Sequence, residues 1–476
     1  MSGFETSDRV MSITSYTQSI IDGWASSLEH QISDSSDWGS KPENLISSAR
    51  LRSFNVGNGT QVTNSITSKC TITERELIIT TCFWAKSSSQ KAISSLLLNL
   101  SAKALDQNRK IYVWLCFSSL SLTQKLLQTS SPDGKYYPQS SWAKLNLPAP
   151  DALTGLNLVV KSIFIRPISV MHPKFVIVDR RRAFMPSCNV SWENWFEGCI
   201  ELEGDVVDRL FRLWQKSWAS SRDDSPILSL VKSDAASRQK AIIETEEPRR
   251  ENDPTSNLRD LTISGRTTLT TIILLPSSYH INPRFSLCSS HIPPAPSTPL
   301  NTFLLYIFNH AKLSIYIQTA NFTSRPVSSA LISAISRGVN VHLITNRRLM
   351  IYEQLLTAGT TTAVFIRKLK HKYHSVIKNH LSSAQASQGA VPIPGKLKIG
   401  YYEAHYDGCT DKDPLMSHLK MTIVDNSISV LGSGNMDRAS WYTSQELGIA
   451  IMDENLTREI EGVVQESLKG KIRYIC

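Results

Sequence analysis

The sequence predicts an α/β protein made of two similar halves, and three observations carry that expectation. A strand, helix, strand order occurs twice, a polar segment separates the two occurrences, and two stretches share one spacing of His, Lys, Asp, Ser and Asn. Repetition of a whole unit argues for duplication. A chain of 476 residues, 41% apolar and 19% charged, has the composition of a globular protein and the length of two domains.

Residues 1–70 are rich in Ser, Thr and Asn and read as an N-terminal extension. It holds one amphipathic helix over residues 16–32 and a turn-rich stretch from Asn55 to Gly59. The first lobe then spans 71–218. LIITTCF (77–83) and IYVWLCF (111–117) are continuous apolar runs of strand length, and Ile93, Leu96, Leu97 and Leu100 between them fall on one helical face. Residues 219–263, punctuated by Pro226, Pro248 and Pro254, have the composition of a polar linker. The second lobe, 264–476, repeats the order with a helix over 303–311, a strand over 314–322, a helix over 327–337 and a strand over 339–345. Residues 361–416 read as an insertion whose RKLKHKYHSVIKNH segment crowds Arg367, Lys368, Lys370, Lys372 and Lys378 onto one helix. Such a segment is either a solvated basic face or a patch that touches substrate.

Lys plus Arg exceed Asp plus Glu by ten (51 − 41) and the pI is about 9.1, which favours an anionic partner such as a phosphate ester, nucleic acid or acidic membrane. No apolar run approaches the ~20 residues that span a bilayer, and the first residues lack the basic and apolar regions of a signal peptide. The eight cysteines form no CxxC pair and no short-spaced framework. An intracellular protein, soluble or peripheral to a membrane, fits these features.

The chemistry lies in two stretches, MHPKFVIVDRRRAFMPSCNVSWENWFEG (171–198) and SHLKMTIVDNSISVLGSGNMDRASWYTSQELG (417–448). His172, Lys174, Asp179, Ser187 and Asn189 in the first match His418, Lys420, Asp425, Ser433 and Asn435 in the second. Lys follows His by two and Asn follows His by seventeen in both copies (189 − 172 and 435 − 418). Each copy reads as a strand with His and Lys on one face, a turn at the Asp, and a second strand delivering Ser and Asn. A helix follows each, through Leu210, Trp214 and Trp218 in one and Leu456, Ile460, Val464 and Leu468 in the other.

These motifs resemble those of the phospholipase D superfamily, whose signature is two HxKxxxxD motifs, each with a GSxN-like turn and a downstream acidic residue. SCNVSWENWFEG and GSGNMDRASWYTSQELG are closest in character to its fungal members. The resemblance implies a duplicated phospholipase D-like fold, two mixed-sheet α/β lobes related by a pseudo-twofold axis across which the motifs meet. A monomer with this internal pseudo-dimer would be complete. It also implies a phosphodiesterase that cleaves or transfers the phosphatidyl group of a glycerophospholipid through a phosphohistidine. His172 would be the nucleophile and His418 the general acid and base. Lys174 and Lys420 would hold the phosphate oxygens with Asn189 and Asn435, Ser187 and Ser433 would support the turns, and Asp179 and Asp425 would orient the motifs. Glu446 and Glu197 correspond to the acidic residue that fixes a histidine tautomer, at unequal offsets of eleven and eight from their Asn (446 − 435 and 197 − 189). Pro186 stands where the superfamily has Gly. No metal or cofactor is needed, since lysines and histidines supply the charge. Trp192 and Trp441, after the Asn turns, are candidates for contact with a lipid chain or a base. Phospholipid and nucleic acid both stay open as substrates, as does a non-catalytic module that binds either, and peripheral contact with an anionic membrane fits the charge.

Overall fold

Apolar runs in the two halves become the inner strands of one continuous sheet. The computed structural model describes residues 5–31, 41–120, 133–165, 169–219, 259–262, 269–280, 294–386, 393–404 and 414–476. The first half contributes β1 (Ile46–Asn58), β2 (Glu76–Phe83), β3 (Ile111–Ser119), β4 (Leu156–Ser162), β5 (Phe175–Val178), β6 (Arg182–Pro186) and β7 (Trp195–Gly204). The second contributes β8 (Thr270–Ser277), β9 (Ser314–Gln318), β10 (Asn340–Thr345), β11 (Leu397–Tyr402), β12 (Met421–Val424), β13 (Ile428–Gly432) and β14 (Glu446–Ile451). Across the sheet the order is β4-β3-β2-β5-β6-β7-β1-β8-β14-β13-β12-β9-β10-β11. Strands β4, β3 and β2 are parallel, as are β9, β10 and β11, and the remaining pairs are antiparallel. One topology therefore occurs twice, about a pseudo-twofold axis between β1 and β8. The protein is a duplicated mixed-sheet α/β fold.

The helices are α1 (Glu5–Gln31), α2 (Gly59–Cys70), α3 (Ser88–Asp106), α4 (Asp205–Trp218), α5 (Pro299–His310), α6 (Arg325–Ser336), α7 (Ile351–Ala358), α8 (Thr362–Ala386), α9 (Arg438–Tyr442) and α10 (Glu454–Leu468). Because the central strands are buried on both faces, alternate residues feed different cores. Ile272 and Leu274 of β8 join a cluster shared by both lobes, while Ile273 and Leu275 join one built from the second lobe with Leu45 and the N-terminal residues Ile20, Ile21, Trp24 and Leu28. Helices α4 and α10 cover the shared cluster through Leu210, Trp214 and Trp218 and through Leu456, Ile460, Val464 and Leu468. Both helices begin after the strand that carries a motif's Glu, so their docking fixes those strands.

The expected division into 1–70, 71–218, 219–263 and 264–476 is redrawn at several places. Residues 46–70 are not an extension, since β1 lies beside the pseudo-twofold axis with β7 on one side and β8 on the other. The Asn55 to Gly59 stretch is a strand-to-helix junction rather than a free turn. Asn58 accepts from the Gln61 amide and its own amide donates to the Gln61 side chain, a capping box at the start of α2. Helix α1 packs on the second lobe, where the buried Trp24 meets Phe303 edge-on at 5.2 Å and donates to Thr302 Oγ1. Residues 361–416 are not an insertion either, because β11 is a member of the sheet. Of the expected linker, 220–258 and 263 lie outside the described residues, and Arg259–Thr262 pairs with β1.

Asp179 and Asp425 close the turn after β5 and after β12. Asp179 accepts from the amides of Glu74, Arg75 and Glu76, and Asp425 from those of Lys312, Leu313 and Ser314. Each carboxylate gathers the otherwise unpaired amides that lead into β2 or β9, and both residues adopt positive φ (50° and 53°) to do so. The Tyr16 hydroxyl of α1 adds a fourth donor to Asp425, at 2.8 Å. Replacing Asp425 by Ala leaves those donors without an acceptor and should destabilise the protein by ~3 kcal/mol, with a smaller loss for Asp179→Ala, whose amides are more exposed. Urea unfolding midpoints check this, and an unchanged midpoint for Asp425→Ala would contradict the role.

Candidate active site

The two histidine segments leave their own lobes to pair with the other. The His172 amide donates to Gln445 O (3.0 Å) and the Gln445 amide to Val170 O (2.9 Å), so the segment before β5 lies along the start of β14. In the second copy, Met416–Ser417 runs parallel to Trp195–Phe196 of β7, and the amides of His418 and Leu419 both donate to Phe196 O at 2.8 and 3.0 Å. The regular strands begin only after the lysines. His and Lys, expected on a strand of their own sheet, sit instead on extended backbone tied to the opposite lobe.

That exchange crosses the side chains as well. His172 Nδ1 lies 2.7 Å from Glu446 Oε2, and His418 Nδ1 lies 2.7 Å from Glu197 Oε1. Ser433 Oγ donates to Glu446 Oε2 at 2.5 Å and accepts from the Leu447 amide, and Ser187 Oγ donates to Glu197 and accepts from the Gly198 amide. Each histidine is thus held by the Glu and Ser of the other motif. Burial works to raise Glu197 and Glu446, but the facing imidazole, its hydrogen bond and the nearby lysines hold both carboxyls below their ordinary range. Ionised carboxylates fix the proton on Nδ1, which leaves Nε2 of each ring as the reactive nitrogen.

Burial dominates the bases. It pulls His418 down to about 4 against the opposing pull of Glu197, and it lowers His172 in the same way against Glu446. Lys420 falls to about 7 because burial, with repulsion from Lys174, outweighs the attraction of Glu197. Lys174 and Lys420 are 3% and 4% exposed, and each Nζ donates to the carbonyl of its own histidine at 2.8 and 2.5 Å. An ammonium has three donors, so donors remain for an anion. Asn189 and Asn435 each have a buried side-chain oxygen with no hydrogen-bond donor among the described residues.

The structure therefore brings together His172, Lys174, Ser187 and Glu197 with His418, Lys420, Ser433 and Glu446, and Asn189 and Asn435 follow two residues after Ser187 and Ser433. It does not bring Asp179 or Asp425 there. Each lies seven residues beyond its histidine, across β5 or β12, at the far end of the strand. Trp441 is core, 3% exposed, whereas Trp192 is 65% exposed. Sequence reasoning missed Trp195, whose ring lies 4.8 Å from that of His418. The signal was present, because Trp195 precedes Glu197 by two on one strand and so shares its face. It also missed Asn346, which accepts from the Ser417 amide and donates to the Ser417 carbonyl just before His418. Asp437, raised to about 6 by burial, caps α9 through the Ser440 amide, and Ser440 Oγ in turn accepts from the Asn435 amide.

The crossing makes a direct prediction. Glu446→Gln should lower the pKa of His172 further and move its Nδ1 proton resonance while leaving His418 unmoved, and Glu197→Gln should do the reverse. Imidazole NMR on histidine-labelled protein reads both; a change confined to the histidine of the same motif would contradict the arrangement.

Residues 304–467 match the family model described as cardiolipin synthase, PLD-like domain. The minor cardiolipin synthase ClsB of Bacillus subtilis (strain 168) is 24% identical over 146 residues, which is 31% of this chain and 27% of that protein. The chain thus spans about a quarter of the length of this curated relative. Among solved structures, phosphatidylserine synthase of Haemophilus influenzae Rd KW20 superimposes with a TM-score of 0.52 at 10% identity, over 90% of this chain and 89% of that one. That likeness concerns the fold, and it extends over both lobes. The family match thus lies within the second lobe, 164 of the 476 residues (467 − 304 + 1), which is similar to the PLD-like domain of cardiolipin synthases.

Proposed function

We propose that this chain is a phospholipase D-type phosphodiesterase that takes a glycerophospholipid and passes its phosphatidyl group to water or to an alcohol. The observation that carries the reading is the crossed pair of imidazoles, each with Nδ1 held by a buried carboxylate, beside two buried ammonium groups. The likeness of the second half to cardiolipin synthases favours phospholipid as the substrate class.

A phosphodiester is an anion and repels anionic nucleophiles, so Lys174 and Lys420 first bind its non-bridging oxygens, with Asn189 and Asn435 as further polar partners. His172 is the more accessible imidazole, its side chain 14% exposed against 3% for His418, and it attacks phosphorus through Nε2. The N–P bond forms as the P–O bond to the leaving group breaks, and that oxygen takes a proton from the His418 imidazolium. Neutral His418 then takes a proton from water or alcohol, whose oxygen attacks phosphorus and releases His172. His418 is kept unprotonated by burial, with repulsion from Lys420 and Lys174, against the pull of Glu197. The charge of a bound phosphodiester raises its pKa, so substrate recruits the proton that the first step consumes.

The test is to incubate the protein with labelled phospholipid and with single-stranded DNA, in the presence of chelator, and to quench single turnovers in alkali, where phosphohistidine survives. Phosphatidic acid or head-group exchange is expected, with label on the peptide carrying His172. Label on the His418 peptide would reverse the roles, and cleavage of DNA alone would make the protein a nuclease. A second expectation concerns pH. Lys420 is charged below its pKa of about 7 and loses that charge above it, so 1/KM for a soluble short-chain phosphodiester should fall as pH rises through about 7, with kcat less affected. Lys420→Arg should remove that limb, because guanidinium stays charged. A flat KM profile in the wild type would contradict the assignment.

A further inference from the structure

Helix α7 is built inside out. Its buried positions are polar: Gln354 accepts from the Thr362 amide and donates to Leu349 O, and Thr357 donates to Glu353 O while its own carbonyl accepts from Arg438. Its outward positions are apolar but for Glu353, with Tyr352 90%, Leu356 69% and Leu355 47% exposed. Exposed apolar side chains grouped on one short helix are unusual on a soluble surface and mark a contact site.

Its location says what the contact is for. Asn346, which grips the backbone of Ser417 beside His418, is followed directly by the exposed Arg347 and Arg348 and then by α7. Arg438, three residues after Asn435, ties α7 to the second motif's turn. On the first lobe the residue three after Asn189 is Trp192, which is exposed and edge-on to Phe83 at 5.8 Å. Each motif's Asn turn is thus followed by a contact with, or a residue of, an exposed apolar group.

Apart from Glu353, the charge contributed beside the apolar groups by the segment before α7 and by α8 is positive. Helix α8 contains no acidic residue, and its Arg367, Lys368, Lys372 and Lys378 are exposed. Helix α8 is tied to the same side of the sheet, where Lys370 donates to Ile475 O and the Ile475 amide donates to Ile399 O of β11, and Arg347 follows β10, the strand beside β11. Apolar anchors ringed by arginine and lysine match an anionic bilayer, where rings and leucines enter the acyl boundary and cations meet the lipid phosphates.

We infer that Tyr352, Leu355 and Leu356 of α7, with Arg347 and Arg348, form a docking surface that seats the mouth of the site on an anionic lipid bilayer, with Trp192 as a second anchor on the first lobe. This rests on the reading of the site as one for phospholipid, but docking is measured without turnover. In flotation with vesicles of equal phosphatidylcholine and phosphatidylglycerol, the wild type should bind, and Tyr352→Ser/Leu355→Ser/Leu356→Ser should lose roughly tenfold or more in affinity. Its activity on a soluble short-chain phosphodiester should stay within about twofold of the wild type. Arg347→Gln/Arg348→Gln should lose roughly tenfold on anionic vesicles and little on neutral ones. Trp192→Ser, on the other lobe, gives an independent arm should the triple variant fold poorly, and it too should weaken flotation. A wild type that does not float, or variants that float equally well, overturn the proposal. So does a wild-type dimer that the triple variant dissociates without loss of flotation, which would make the surface a contact between copies. Loss of single-stranded DNA affinity in the arginine variant, with flotation intact, would assign the surface to nucleic acid. If the wild type floats and the variants do not, yet no phospholipid is turned over, docking stands and the proposed reaction falls.

Discussion

Everything at the site depends on a hydrogen bond between an imidazole of one lobe and a carboxylate of the other. Glu446 holds His172 and Glu197 holds His418, each at 2.7 Å and each away from bulk water. A buried carboxylate without a partner is costly, so neither strand end tolerates removal of the opposite lobe. The β1–β8 pairing, the shared cluster beneath α4 and α10, and the two backbone exchanges at Gln445 and Phe196 all hold that one distance. Neither lobe has a complete site by itself.

Charge compensation explains how so many ionisable groups share a small volume. Two lysines and two glutamates cancel when both imidazoles are neutral, and burial favours that neutral state. An arriving phosphodiester unbalances the set by one negative charge, which favours the protonated forms of Lys420 and of the imidazoles and draws a proton into the site. In the proposed reaction, binding and acid catalysis are therefore linked by electrostatics rather than by a moving part.

Much of this was legible in the sequence, for identifiable reasons. Period-two and apolar-run patterns located β2, β3, β9 and β10, helical spacing located α4 and α10, and the matched offsets from His172 and His418 located the polar groups. What the pattern could not carry was partnership across the molecule. Nothing local to residues 46–58 says that this polar-looking segment lies at the centre of the sheet, because its burial is made by β7 and β8. The extended backbone at His172 and His418 was assigned to a strand of its own lobe because local pattern knows no other neighbour. Asp179 and Asp425, read as residues that orient their motifs, are carried by the seven-residue offset to the other end of the strand, and the backbone amides they gather there come from segments the motifs do not contain.

Helix α1 illustrates how chain order and spatial order diverge. Trp24 buries itself against Phe303, and Tyr16 binds Asp425, so the earliest helix is completed by some of the later residues. On a ribosome adding about 5–20 residues per second, the 279 residues from Ala25 through Phe303 (303 − 24) take roughly a quarter of a minute to a minute to appear. Throughout that time the indole has no native surface to cover it. Synthesis of this protein thus includes a waiting period for its N-terminal helix, during which a chaperone or the nascent first lobe must shield what the second lobe will later enclose.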